Sequence, residues 1–134
     1  MVPPTGDAAV RQQILDLVNV ERAAAGCPAL ASDTQLTAAA QGHAEDMAAR
    51  NYFAHVSQDG RSPFDRIAAA GYTGGGYQAE NIARGQADAV AVMRGWMASD
   101  GHRANIVNCV YDHLGVGYTR NGRGPYWVQN FGGS

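Results

Sequence analysis

The chain has 134 residues, 46% of them hydrophobic, with ten arginines, no lysine and a net charge of −2. That length suits one domain that buries roughly two thirds of its unfolded surface around a single core. Scattered arginines form no basic stripe, so nucleic acid is not an expected partner; the lack of lysine removes Schiff-base chemistry and lysine-bearing phosphate loops, and no apolar run approaches the ~20 residues of a membrane span.

Alanine inflates the apolar fraction, which leaves the core to larger anchors such as Ile14, Leu17, Leu36, Met47, Phe64, Ile67, Val90, Trp96 and Ile106. Residues 1–6, Met-Val-Pro-Pro-Thr-Gly, lack an apolar signal segment and read as a leader remnant or added stretch before a domain at 7–134. Cys27 and Cys109 lie 82 positions apart and form no CxxC pair. One long-range disulfide is the leading reading, beside two buried free thiols, and it points to an oxidising compartment.

In chain order, Asp7 is placed to cap a first helix with Val10, Ile14, Leu17 and Val18 at helical spacing, ended by Gly26 and Pro28. Ser32-Asp33-Thr34-Gln35 resembles a capping box, and Leu36, Ala40, Ala44 and Met47 mark the buried stripe of a second helix to about Arg50. His43 falls beside that stripe and reads as a satisfied, partly buried histidine. Ser62 and Pro63 open a short scaffold helix through Ala70, closed by Gly71. Gly74–Gly76 reads as a flexible loop crossing a site, and Glu80–Arg84 as a short extended segment.

A further helix starts near Ala87, carries Val90, Met93 and Met97 on one side with Val92 and Trp96 adjacent, and is stopped by Gly101. Leu114, Val116 and Tyr118 then alternate with glycines, and Asn121–Gly124 turns the chain into Tyr126–Phe131, which predicts a β-hairpin. Helices first and antiparallel strands last predict an α+β fold.

Six pieces in order resemble the CAP superfamily, the SCP-like or pathogenesis-related-1 type domain, in its compact bacterial form. They are Asn19–Arg22, His43–Ala48, Asn51-Tyr52-Phe53-Ala54-His55, Glu80-Asn81-Ile82-Ala83, Trp96–Ile106 with Ser99-Asp100-Gly101-His102-Arg103, and Gly115-Val116-Gly117 followed by Tyr126-Trp127. The resemblance implies a three-layer α-β-α sandwich around a small, largely antiparallel sheet, and a cleft with two histidines and two acidic residues. His55, Glu80 and His102 fall on three of those positions. Ser99 stands where many eukaryotic members carry the second glutamate, with Asp100 beside it, and Asn81, Asp100 and Arg103 are supporting candidates.

Two neutral imidazoles, His55 and His102, suit a weakly held, solvent-open zinc or other divalent ion, with Glu80 as a ligand or as the group that orients an imidazole. The resemblance further implies a secreted binding module, its partners a sterol, a fatty acid, another apolar ligand or an extracellular protein. The alternative is a zinc- or magnesium-dependent hydrolase of extracellular peptide or cell-wall substrates, with Glu80 as general base. A Ser99–His102–Glu80 triad is conceivable in outline, but the chain has no GxSxG elbow and no HExxH. Trp96, Tyr126 and Trp127 read as core residues or as walls of an apolar groove.

Overall fold

The computed structural model describes residues 6–134, so the reading of the first five residues lies outside the described part. Helical spacing of apolar residues produces α1 (Gly6–Ala24), which buries Ile14 and Val18, with Asp7 inside its first turn rather than at its cap. Two residues, β1 (Ala31–Ser32), then pair parallel with the later strand β3, an element too short to show in the pattern. Asp33 rather than Ser32 caps α2 (Thr34–Arg50), accepting from the Leu36 N–H at 2.8 Å, and Asn51 in the left-handed region ends it.

Ser62 and Asp65 form the reciprocal capping box of α3 (Pro63–Ala69). This short helix buries Pro63, Arg66 and Ile67, which turns Phe64 outward and removes it from the core. Gly74–Gly76 lead into β2 (Tyr77–Arg84) alongside Tyr72 and Gly133, so they do not span the cleft. The next helix, α4 (Ala89–Met97), is capped by Asp88 and buries Ala89, Val92, Met93 and Trp96. That stripe is offset from the expected one, and Val90 is exposed.

Gly101 does not stop α4. The helix closes at Ala98, the backbone is extended at Ser99, and Gly101 sits inside a new helix, α5 (Asp100–Ile106). Strands β3 (His113–Asn121) and β4 (Gly124–Gly133) form the expected hairpin. The sheet order is β1-β3-β4-β2, antiparallel except at β1, so β2 has an open outer edge.

The result is an α+β, three-layer arrangement. One face of the sheet, with Leu114, Val116, Trp127 and Phe131, packs against α1, α4 and α5; the other, with Ile82, Tyr126 and Val128, packs against α2, onto which α3 is laid through Ile67. Strand alternation divides the residues this way. Gly115 and Gly117 let α2 lie on β3, since a Cβ there would come within 2.1 Å of Leu36 and 2.3 Å of Ala40 backbone atoms.

Two devices tie the ends of the elements together. Buried Arg22 donates to the carbonyls of Pro28, Ile106, Asn108 and Tyr111, and Cys27 is disulfide-bonded to Cys109. Both fasten the end of α1 to the segment after α5.

Candidate functional site

Strand β2 carries adjacent residues to opposite faces of the sheet, and the candidate site has two halves for that reason. Glu80 pairs in register with Asn130 on the α2/α3 side, while Asn81 pairs with Gln129 on the α4/α5 side.

In the first half, His55 Nδ1 lies 2.9 Å from Glu80 Oε1. A carboxylate only accepts, so Nδ1 carries the proton and Nε2 is the nitrogen left for a ligand. Glu80 Oε2 accepts from Arg66 Nη2 at 2.7 Å and from Asn130 Nδ2 at 2.9 Å. Arg66 also donates to the His55 carbonyl at 2.8 Å and to the Ser57 hydroxyl at 2.9 Å, which fixes the loop that presents His55.

The His55 side chain is 50% exposed and that of Glu80 only 1%, so the buried carboxylate supports an imidazole that reaches solvent. Burial pushes the Glu80 pKa up, but the bond from His55, the Arg66 charge and the bond from Asn130 outweigh it and hold the carboxyl below its ordinary 4.5.

In the second half, Asn81 Nδ2 donates to the His102 carbonyl at 3.1 Å and to Gln129 Oε1 at 3.0 Å, and Asn81 Oδ1 accepts from Asn105 at 2.9 Å. Neutral amides therefore hold the backbone of His102, and no described hydrogen bond holds its ring. Burial lowers the His102 pKa, and repulsion from a charged His55 lowers it further. His102 is placed by the first turn of α5, not beyond a helix end.

Ser99 starts α5 without a side-chain cap bond, and no described hydrogen bond joins it to His102. Both line a groove of about 270 Å³ at the open edge of β2, with Phe53 from one layer, Trp96 from the other, and Ile82 and Arg84 from the strand itself. Asp100 and Arg103 do not join it; they lie together on another side of α5, beside Ala104 and Val107.

Among the described residues no three His, Cys, Asp or Glu side chains are grouped to hold a metal ion. Both Glu80 oxygens are engaged in hydrogen bonds. Arg66 and Asn130 escaped the sequence reading. The available signals were an arginine on the buried side of a short helix and polar Gln129-Asn130 within a strand of otherwise apolar, buried residues, each of which needs a partner.

A family model described as the cysteine-rich secretory protein family, CAP, matches residues 15–131. The uncharacterized protein YkwD of Bacillus subtilis is 39% identical over 130 residues, 96% of this chain and 49% of that protein. YlbC, an uncharacterized membrane protein of the same species, is 42% identical over 120 residues, 90% of this chain and 33% of that protein. The chain thus spans half or less of the curated relatives it matches.

Among solved structures, an extracellular protein of Bacillus anthracis containing an SCP domain is 34% identical with a TM-score of 0.84, over 99% of this chain and 45% of that one. An outer surface protein of Borrelia burgdorferi shares the fold at 19% identity, with a TM-score of 0.87 over 99% of this chain and 98% of that one. A matched family model over most of the length, and relatives near 40% identity, establish that this chain belongs to the CAP family of cysteine-rich secretory proteins.

Proposed function

We propose that this domain is an extracellular ligand-capture module and not a hydrolase. The observation that carries the reading is the state of Glu80: Oε1 bonds His55, Oε2 bonds Arg66 and Asn130, and its pKa is held low. A general base needs an accessible oxygen within reach of a substrate proton and a pKa near the working pH, whereas the Glu80 side chain is 1% exposed and its pKa is held low. Its role is to orient His55. The disulfide supports an oxidising, extracellular setting.

His55 Nε2 and the His102 ring are the groups that would hold a divalent ion such as zinc. Two imidazoles fit an open, exchangeable site and not a closed structural one, which takes four protein ligands. When bound, the ion supplies a Lewis-acid contact to an oxygen of the captured ligand. The groove beside it, at about 270 Å³, lies just below the ~300–1,000 Å³ typical of small-molecule sites. That size favours an extended ligand lying along the groove, a fatty-acid chain or a segment of an extracellular protein, over a rigid sterol enclosed whole.

Calorimetric zinc titration of chelator-stripped protein tests the reading. One-to-one binding is expected, lost in His55→Ala and in His102→Ala; binding unchanged in both variants rejects the shared site. Turnover of a peptide or cell-wall substrate that disappears in Glu80→Gln and in chelator rejects capture in favour of hydrolysis.

A further inference from the structure

Size admits more than one kind of occupant for the groove beside His102, and its polar side chains narrow the choice. Arg84, Gln86, Ser99 and His102 all line it, and each is half-buried or exposed. No described hydrogen bond or ion pair engages any of these four side chains. Gln86 is tied through its backbone carbonyl, which accepts from Trp127 Nε1 at 3.0 Å, and His102 through its own carbonyl, which accepts from Asn81. Ser99 gives α5 no side-chain cap, and the Arg84 guanidinium lies 5.1 Å from the centre of the Tyr126 ring. The backbone at 86 and 102 is held while the polar ends of the side chains stay unengaged.

The apolar surface of the groove that a ligand can reach is concentrated in one side chain. Phe53 is 47% exposed, whereas Ile82, Ala83 and Trp96 are 7%, 7% and 2% exposed. A pairing peptide strand has no place on the floor, because the Ile82 carbonyl already accepts from Trp96 Nε1 at 3.2 Å. An acyl chain carries its polar atoms at one end and would leave most of the four polar side chains without partners. The lining calls for a ligand with one apolar face and several groups around its rim that both donate and accept.

We propose that the captured ligand is a pyranose saccharide, one ring of which lays its C–H face on Phe53 and directs hydroxyl groups to Gln86, Ser99 and Arg84. The inference rests on the capture reading and names its ligand class. Each sugar hydroxyl is one donor and two acceptor lone pairs. The Gln86 amide and the Ser99 hydroxyl both donate and accept, and Arg84 donates only, so every one of them finds a partner on the same ring. The face of the Phe53 ring is electron-rich and attracts the C–H bonds on the apolar side of a pyranose. A chain of such rings also has the extended shape that suits the size of the groove.

The test is an array of pyranose oligosaccharides, including trisaccharides of glucose, N-acetylglucosamine and galacturonic acid, probed with the labelled domain with and without zinc and followed by calorimetric titration of the best-bound sugar. Saturable binding is expected, about ten-fold weaker in Phe53→Ala and in Gln86→Ala, both outside the buried core. Analogues of the bound sugar that each lack one hydroxyl should weaken binding by about ten-fold at the positions that meet Gln86 or Ser99, a control that does not alter the protein. No binding above that of an unrelated protein under either condition, binding unchanged in both variants, or equal binding of every deoxy analogue overturns the proposal.

A parallel titration with the fluorescent fatty acid cis-parinaric acid separates the two levels. Saturable parinaric acid binding without saccharide binding overturns the saccharide inference and keeps the capture reading. Cleavage of the bound oligosaccharide, lost in Glu80→Gln, overturns capture while keeping the saccharide as ligand class.

Discussion

The two halves of the cleft solve one problem, placing an imidazole at the edge of a sheet, by different physics. On the α2/α3 side the support is ionic and buried: Arg66 and Glu80 form a pair at 2.7 Å with side chains 5% and 1% exposed, and the carboxylate fixes the His55 ring directly. On the α4/α5 side the support is neutral, a chain of Asn81, Gln129 and Asn105 amides that holds the His102 backbone. The contrast is between a ring held by a buried carboxylate and a ring that no described hydrogen bond holds. It also predicts that the halves fail under different perturbations, since a buried charge tolerates loss of its partner far less than a neutral amide does.

The largest effect belongs to the ionic half. Arg66→Met leaves Glu80 buried without its cation and should cost about 3–5 kcal/mol, read as a lower urea midpoint. If the loss is below ~1 kcal/mol, the carboxylate is not held as described and the two halves do not differ in kind.

Removing the disulfide acts on the other half. Cys27→Ser with Cys109→Ser frees the segment after α5 and should cost about 2–4 kcal/mol. Hydrogen exchange should rise in α5 before it rises in α3, because the bridge fastens α1 to the chain just beyond α5. Uniform loosening of both helices would erase the distinction.

Acid sharpens the comparison from the side of α2. His43 is 1% exposed and its Nε2 donates to Ala54 O at 2.8 Å. Burial, then repulsion by Arg66, lowers its pKa below 6.5. The unfolded chain therefore takes up this proton first, so the stability His43 contributes is complete above pH 6.5 and is lost as pH falls toward the folded value. Melting temperature measured from pH 7.5 down to 5 should fall less steeply in His43→Gln than in the wild type. His102 shifts in the same direction, but its ring is partly in solvent and its share is smaller.

The smallest effects mark the limit of the site. Asp100→Ala and Arg103→Ala lie on the side of α5 away from the groove and should change stability by no more than about 0.5 kcal/mol. Zinc titration should be unchanged in both; weaker binding in Asp100→Ala would restore that residue to the cleft.

Local chemistry was legible in the chain itself. Apolar spacing marked α1 and α2, the Ser62–Asp65 box marked α3, and the glycine-flanked turn at Asn121–Gly124 marked the hairpin, because caps, turns and periodicity are written within a few neighbouring residues. The ordered motifs also named the family and brought His55, Glu80 and His102 into view together. What stayed hidden depended on which side of an element is covered. Phe64 and Val90 follow plausible stripes, yet α3 and α4 turn other residues inward. Gly101 suggested a stop where Ser99 makes the break.

The sequence by itself determined the α+β class, most elements and the residue types available for the cleft, since these follow from local propensity and pattern. Only the tertiary structure decided that Arg66 and Asn130 occupy the second Glu80 oxygen and that Asp100 lies outside the groove. Those outcomes rest on contacts between residues tens of positions apart. Strand register and layer packing choose them, and no short stretch of chain encodes either.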